Sequence, residues 1–177
     1  LQWTNSAVLG ERNSVMFDRP ANVVDAINPT TLTYAPRQVD IDNFRSYTSE
    51  LKVLHHYKLF NSTHLFTSGV QVMNNDLRRR NLGVGTTGSD FDLTVTDAGF
   101  ARDLHFKTKN IALFVENSFN ITERLKVNPG VRMEYGGSDM TGTITYYDPG
   151  QLPTSINHKF WLFGLNAEYQ LSKFQNL

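Results

Sequence analysis

The chain has 177 residues, with 17 Lys and Arg against 17 Asp and Glu, 40% hydrophobic residues and no Cys. Zero net charge leaves no bulk electrostatic case for nucleic acid, and the lack of Cys excludes a disulfide-stapled fold and thiol chemistry. No run approaches the roughly 20 apolar residues that a membrane-spanning helix needs.

Period-two alternation dominates in chain order. "LQWTNSAVL" at the start is a weak strand candidate. "SELKVLHHYKL" sets Leu51, Val53, His55 and Tyr57 against Glu50, Lys52, Leu54 and His56. A turn at Phe60–Thr63 leads into "HLFTSGVQVMNN", where Phe66, Val70 and Val72 share one face and Thr67, Gly69 and Gln71 the other. "NIALFVENSF" puts Ile111, Leu113, Val115 and Phe119 opposite Ala112, Phe114, Glu116 and Ser118. A turn at Asn120–Arg124 opens "LKVNPGVRMEYGG", with Leu125, Val127, Pro129, Val131, Met133 and Tyr135 on one face and Lys126, Asn128, Gly130, Arg132 and Glu134 on the other. "KFWLFGLNAEYQL" repeats the pattern: Trp161, Phe163, Leu165, Ala167, Tyr169 and Leu171 against Leu162, Gly164, Asn166, Glu168 and Gln170. Alternating runs joined by tight polar turns read as β-hairpins, about six strands in all.

Two short turns alternate with three long polar links, expected at Gly10–Phe44, Asn74–Leu104 and Gly136–Asn157. Such links are uncommon in a compact soluble domain, whereas outer-membrane barrels have short turns at one end and long loops at the other. The apolar runs are about 9–11 residues long, enough for a tilted strand to cross a bilayer. Aromatics gather near strand ends (Tyr57, Phe60, Phe119, Tyr135, Trp161, Tyr169), as in interfacial girdles. The fold class expected is all-β: an antiparallel up-and-down transmembrane β-barrel. Leu113, Val115, Val127, Val131, Met133, Trp161, Phe163 and Leu165 are then lipid-facing. Glu116, Lys126, Arg132, Glu134, Asn166 and Glu168 are lumen-facing. A complete small barrel with a structural or adhesive role stays open. So does a soluble β-sandwich binding module, which requires Trp161, Phe163, Leu165 and Tyr169 to be buried against a second sheet.

"ALFVENSFNITERLKVNPGVRMEY" resembles a barrel hairpin of TonB-dependent outer-membrane receptors: an aromatic, an acidic residue, a polar turn, then Pro-Gly-hydrophobe-Arg-x-Glu-Tyr. "LGERNSVMF" and "NNDLRRRNLGVGTTGSDFDL" resemble outer-loop segments of the ferric-citrate and siderophore subgroup. The resemblance implies about six strands of a 22-stranded barrel in the bacterial outer membrane, with a plug domain elsewhere in a longer receptor. Residues 1–177 are thus expected to be a partial barrel domain, and "SKFQNL" the start of a further turn and strand. Implied partners are outer-membrane lipid and lipopolysaccharide, the TonB complex through the plug, and a transported ferric chelate. No resident cofactor is expected.

Arg78, Arg79 and Arg80 are the candidate ligand-binding residues, placed in an outer loop at the outer end of a strand where at most Arg78 and Arg80 point the same way, because guanidinium groups grip carboxylate and phosphate bidentately. The competing roles are contact with lipopolysaccharide phosphate and ion pairing with Asp90, Asp92 or Asp103. "GVGTTGSD" lacks the Gly-Lys-Ser/Thr ending of a phosphate loop, and Asp90, Asp92 and Asp97 lack the EF-hand spacing. His55 and His56 point to opposite faces, so a metal pair is conceivable only between His56 and His64 across the hairpin. No nucleophile elbow or HExxH motif supports an enzyme.

Overall fold

The structure, a computed structural model, describes residues 1–148, 150, 154–172 and 175–176. They form one antiparallel meander: β1 (Gln2–Met16), β2 (Gln38–Leu59), β3 (Ser62–Gly85), β4 (Val95–Asn120), β5 (Leu125–Ile144), β6 (Ser155–Ser172) and the two-residue β7 (Gln175–Asn176). Spatial order equals chain order, so every connection is a hairpin. The sheet is open, with β1 and β7 at its edges. No α-helix occurs among the described residues. The turn expected after Leu171 falls on Lys173 and Phe174, outside the described residues.

The register carries the alternation across the whole sheet. One row runs Trp3, Leu51, Val70, Leu113, Met133, Trp161, and the next Val53, Ser68, Val115, Val131, Phe163. Cross-strand partners share a face, so all eight residues expected to face lipid lie on one side. The six expected to face the lumen lie on the other, with Lys126 opposite Glu168 and Glu116 opposite Gly130. The apolar side is uncovered: Trp161 is 56%, Phe163 82% and Leu165 76% exposed. That overturns the sandwich alternative, which needs those rings in a dry core between two sheets.

The aromatics mark both edges of the apolar band. At the short-turn edge Tyr57, His64 and Phe119 follow one another in a row, with ring centroids 5.2 and 5.7 Å apart. At the other edge lie Trp3, Tyr135 and Trp161. From Val127 to Tyr135 the band covers nine positions of β5, about 27 Å at 3.4 Å per residue. A strand tilted by about 45° needs that length to cross a bilayer.

The long links are shorter than expected. β2, β3 and β4 have 22, 24 and 26 residues, about twice what a bilayer requires. Strand pairing absorbs most of the segments read as loops, and the true links are residues 17–37, 86–94 and 145–154. The physical reason is an inversion of polarity above the band. There the outer row is charged, Arg45, Asp76, Lys107, Asp139, and the neighbouring inner row is apolar, Phe44, Leu77, Phe106, Met140.

Turns and irregularities have local causes. Phe60 and Asn61 both adopt positive φ (49° and 62°), as a two-residue type I′ hairpin requires. Thr122 Oγ1 accepts from the amides of Arg124 and Leu125 at 3.2 and 3.0 Å, shaping the second turn. β3 carries one extra residue against β2 near Leu82, a bulge whose Leu82 amide donates to Asp40 Oδ1 at 2.8 Å. At Pro129 the β4–β5 pairing lapses between Glu116↔Gly130 and Phe119↔Val127, and resumes in the same register. Pro129 has no amide donor. A two-position gap absorbs it, and Pro129 still opposes Leu165 on β6.

Candidate functional site

On the polar face a hydrogen-bonded belt crosses five strands. Lys52 Nζ lies 3.0 Å from Glu50 Oε1. Gln71 Nε2 donates to Glu50 Oε2 at 3.1 Å, and Arg132 Nη2 donates to Gln71 Oε1 at 2.7 Å. Arg132 Nε pairs with Glu134 Oε1, and Asn110 Nδ2 donates to Glu134 Oε2. His158 Nε2 meets Asn110 Oδ1 at 3.0 Å. The row Glu50, Gln71, Ala112, Glu134 explains the reach: Ala112 is the short residue in the middle and is fully buried (0%). The long neighbours close over it.

A second device recurs on this face. Gly69 opposes Phe114, and a Cβ at Gly69 would lie 2.5 Å from Phe114 Cζ and 2.6 Å from the Leu51 carbonyl oxygen. The ring therefore lies over the bare glycine backbone, and Arg132 sits over the ring at 5.7 Å. Gly10 and Phe44 repeat the arrangement, with a Cβ at Gly10 2.7 Å from Phe44 Cζ. Nearer the long links, Asp42 is 3% exposed and takes Arg12 Nη2 at 2.8 Å. Arg79 Nε lies 3.3 Å from its other oxygen.

The three candidate arginines do not form one site. All lie within β3, not in a loop. Arg79 is on the inner face with Asp42, whereas Arg78 and Arg80 are on the outer face. Arg78 Nη2 pairs with Asp103 Oδ2 at 3.1 Å and Arg80 Nη2 donates to Asn43 Oδ1 at 2.9 Å. His56 and His64 also stay apart: His64 opposes Tyr57, so the two histidines point to opposite faces. His64 is 5% exposed, with Nδ1 accepting from the Asn120 amide at 3.1 Å and Nε2 3.1 Å from the Leu59 carbonyl.

Arg37 was not legible as a functional residue. It is 6% exposed and joins two links. It pairs with Asp25 at 2.7 Å, donates from Nε to the Gly88 carbonyl at 2.9 Å, and sits 5.6 and 5.1 Å from the Phe17 and Tyr34 rings. In link 86–94 Asp92 accepts from the Thr94 amide at 2.9 Å, which holds its carboxyl below the ordinary value.

The family model described as TonB dependent receptor-like, beta-barrel matches residues 2–177. The chain belongs to this receptor-barrel family. Its members are β-barrel domains of outer-membrane transport receptors, a class of transporters and not of enzymes. Among solved structures, the barrel sheet is similar to a chain in "Structure of the FpvAI-pyocin S2 complex" (TM-score 0.59, 15% identity), covering 97% of this chain. That likeness is one of fold. The receptor-family chain spans 21% of the length of the solved chain it matches. No curated protein sequence matches it.

Proposed function

We propose that this chain is a stretch of the barrel wall of a TonB-dependent receptor that imports a ferric chelate, a siderophore or ferric citrate, or a similar scarce nutrient, across the bacterial outer membrane. The observation that carries the reading is one sheet with two unlike faces: an exposed apolar band nine positions tall backed by a hydrogen-bonded polar belt. On this reading the band meets lipid. Lys52, Arg132, Glu134, Asn110 and His158 line a wet lumen, together with Glu116, Lys126, Asn166 and Glu168. The remaining strands and the plug that engages the TonB complex are supplied by the rest of a longer receptor, consistent with the open sheet edges.

Above the belt, Phe44, Leu77, Phe106 and Met140 form an apolar shelf on the lumen side, at the level where incoming ligand passes. Of the three arginines, ligand contact is proposed for Arg79 alone, since Arg78 and Arg80 face outward. The test is uptake of radiolabelled ferric chelates by cells whose receptor is the full-length protein containing this chain. Uptake is expected to need that receptor and to stop when a protonophore collapses the inner-membrane gradient. Receptor-dependent entry that persists without the gradient contradicts the reading. Arg79→Gln is expected to weaken chelate binding, and Arg78→Gln to leave it unchanged.

A further inference from the structure

The inner face divides into charged and uncharged levels. The belt row Glu50, Gln71, Ala112, Glu134 is the lower charged level. Arg12, Asp42 and Arg79 begin the upper one. Asp42 lies eight positions along β2 from Glu50, about 27 Å at 3.4 Å per residue. Among the described residues, the three inner rows between these levels carry no Lys, Arg, Asp or Glu. Nearest the belt, Thr48, Met73, Asn110 and His158 share a row. Ser46, Asn75, Thr108 and Ser138 form the next, with the last two hydroxyls 2.6 Å apart. The shelf of Phe44, Leu77, Phe106 and Met140 completes the zone. Above it the arginines are engaged. Arg12 and Arg79 both close on Asp42, and Arg102, one row further, donates to the Tyr146 hydroxyl and sits over its ring at 5.9 Å. Asp42 is buried, so drawing either arginine away strands its carboxylate.

Hydroxyl and amide rows beneath an apolar shelf match a solute with no net charge, polar oxygens and an aliphatic surface. A strongly anionic solute would give up water for a wall whose nearest cations are held by Asp42, and an uncompensated charge there is costly. The shelf spans three strand spacings, about 14 Å, which fits a whole chelate better than one sugar ring. Leu77 and Met140 put flexible aliphatic surface between and beside the two rings, and a Met side chain adapts to irregular shapes. Three singly charged hydroxamates cancel the ferric charge, whereas three doubly charged catecholates leave the complex strongly anionic. We propose that this wall selects an uncharged ferric chelate of the trihydroxamate type over ferric citrate and over tris-catecholates. Its oxygens bond to Ser46, Asn75 and Thr108, and its methylene linkers lie on Phe44, Leu77 and Phe106. Arg79 adds a hydrogen-bond donor while Asp42 balances its charge. The inference rests on the transporter reading above.

Titration calorimetry on the full-length receptor in mild detergent reads binding of a neutral ferric trihydroxamate, a ferric tris-catecholate, ferric citrate and an uncharged maltooligosaccharide. The trihydroxamate is expected to bind about tenfold or more tighter than either anionic chelate. Its affinity is expected to change less than about twofold between low and high salt, because a neutral ligand has no charge to screen. Asn75→Lys adds a cation to the inner face and is expected to raise ferric citrate affinity about fivefold or more. Asn74→Lys, on the opposite face, is expected to change it less than about twofold. Equal or tighter binding of an anionic chelate by the wild type, preference for the oligosaccharide, or equal effects of the two lysines overturns the assignment. Uptake by cells separates the two readings. Gradient-driven uptake of ferric citrate but not of the trihydroxamate sinks the charge selection alone. Entry of every chelate without the gradient sinks the transporter reading itself.

Discussion

Replacing Arg132 with Met removes the central link of the polar belt while keeping most of the side chain's length. Arg132 gives one charge-assisted bond to Glu134, one bond to Gln71 and a cation–π contact with Phe114. Shielded charge-assisted bonds are worth about 1.5–3 kcal/mol and exposed ion pairs about 0.2–1 kcal/mol. With the Arg132 and Glu134 side chains 29% and 12% exposed, an intermediate value of about 1 kcal/mol per bond is appropriate. Arg132→Met should therefore cost about 2–3 kcal/mol, since it also leaves the Glu134 carboxylate with Asn110 alone. Glu134→Gln should cost about 1 kcal/mol, because an amide still accepts from Asn110 or Arg132. The assay is urea unfolding of the full-length receptor in lipid vesicles, read by loss of its folded gel mobility. The double variant should lose about 1 kcal/mol less than the sum of the singles. If the costs instead add to within about 0.3 kcal/mol, the belt is a crowd of independent polar residues and the reasoning fails.

Three further outcomes follow from particular contacts. Gly69→Val forces a side chain into the Phe114 ring and the Leu51 carbonyl and is expected to destabilise the receptor by about 1–3 kcal/mol in the same unfolding assay, the range for overpacking. Val131→Arg, on the apolar face, is expected to cost about 2–4 kcal/mol, the cost of a cation at the midplane on the lipid side of a barrel; a loss below about 0.5 kcal/mol contradicts the lipid assignment. Arg37→Ala unties link 17–37 from link 86–94 and is expected to speed proteolytic nicking in both, measured by mapping early cleavage products, with the barrel strands untouched.

The readable part of the sequence was the part with one apolar and one polar face. From Leu51 to Tyr57 or Val127 to Tyr135, the alternation sorts the residues onto the two faces that the strand pairing shows. Beyond the band the alternation continues but changes sign. Phe44 turns inward while Arg45 turns outward, and Phe106 and Lys107 do the same. A reading that looks for one continuous apolar face stops there and assigns a loop, which is why strands reaching Met16, Gly85 and Ile144 were missed. The arginine run was assigned to an outer loop for the same reason, although the alternation that parts Arg79 from Arg78 and Arg80 was legible. The belt from Lys52 to His158 was legible only in part, because the sequence names Arg132 and Glu134 but not the register that brings Gln71 and Asn110 to them. Arg37 carried no local pattern at all; its partners Phe17, Tyr34, Asp25 and Gly88 are distant or unpatterned in the chain.

The central claim is that one face of this sheet meets lipid and the other meets water. The chain has no Cys, so single cysteines at Val131, Arg132, Met133 and Glu134 each report on one position of β5. Each is labelled with an environment-sensitive fluorophore in the full-length receptor in vesicles. Brominated lipids should quench the label at Val131→Cys and Met133→Cys, and aqueous iodide the label at Arg132→Cys and Glu134→Cys. Quenching without that alternation, or with the two quenchers exchanged, contradicts the account.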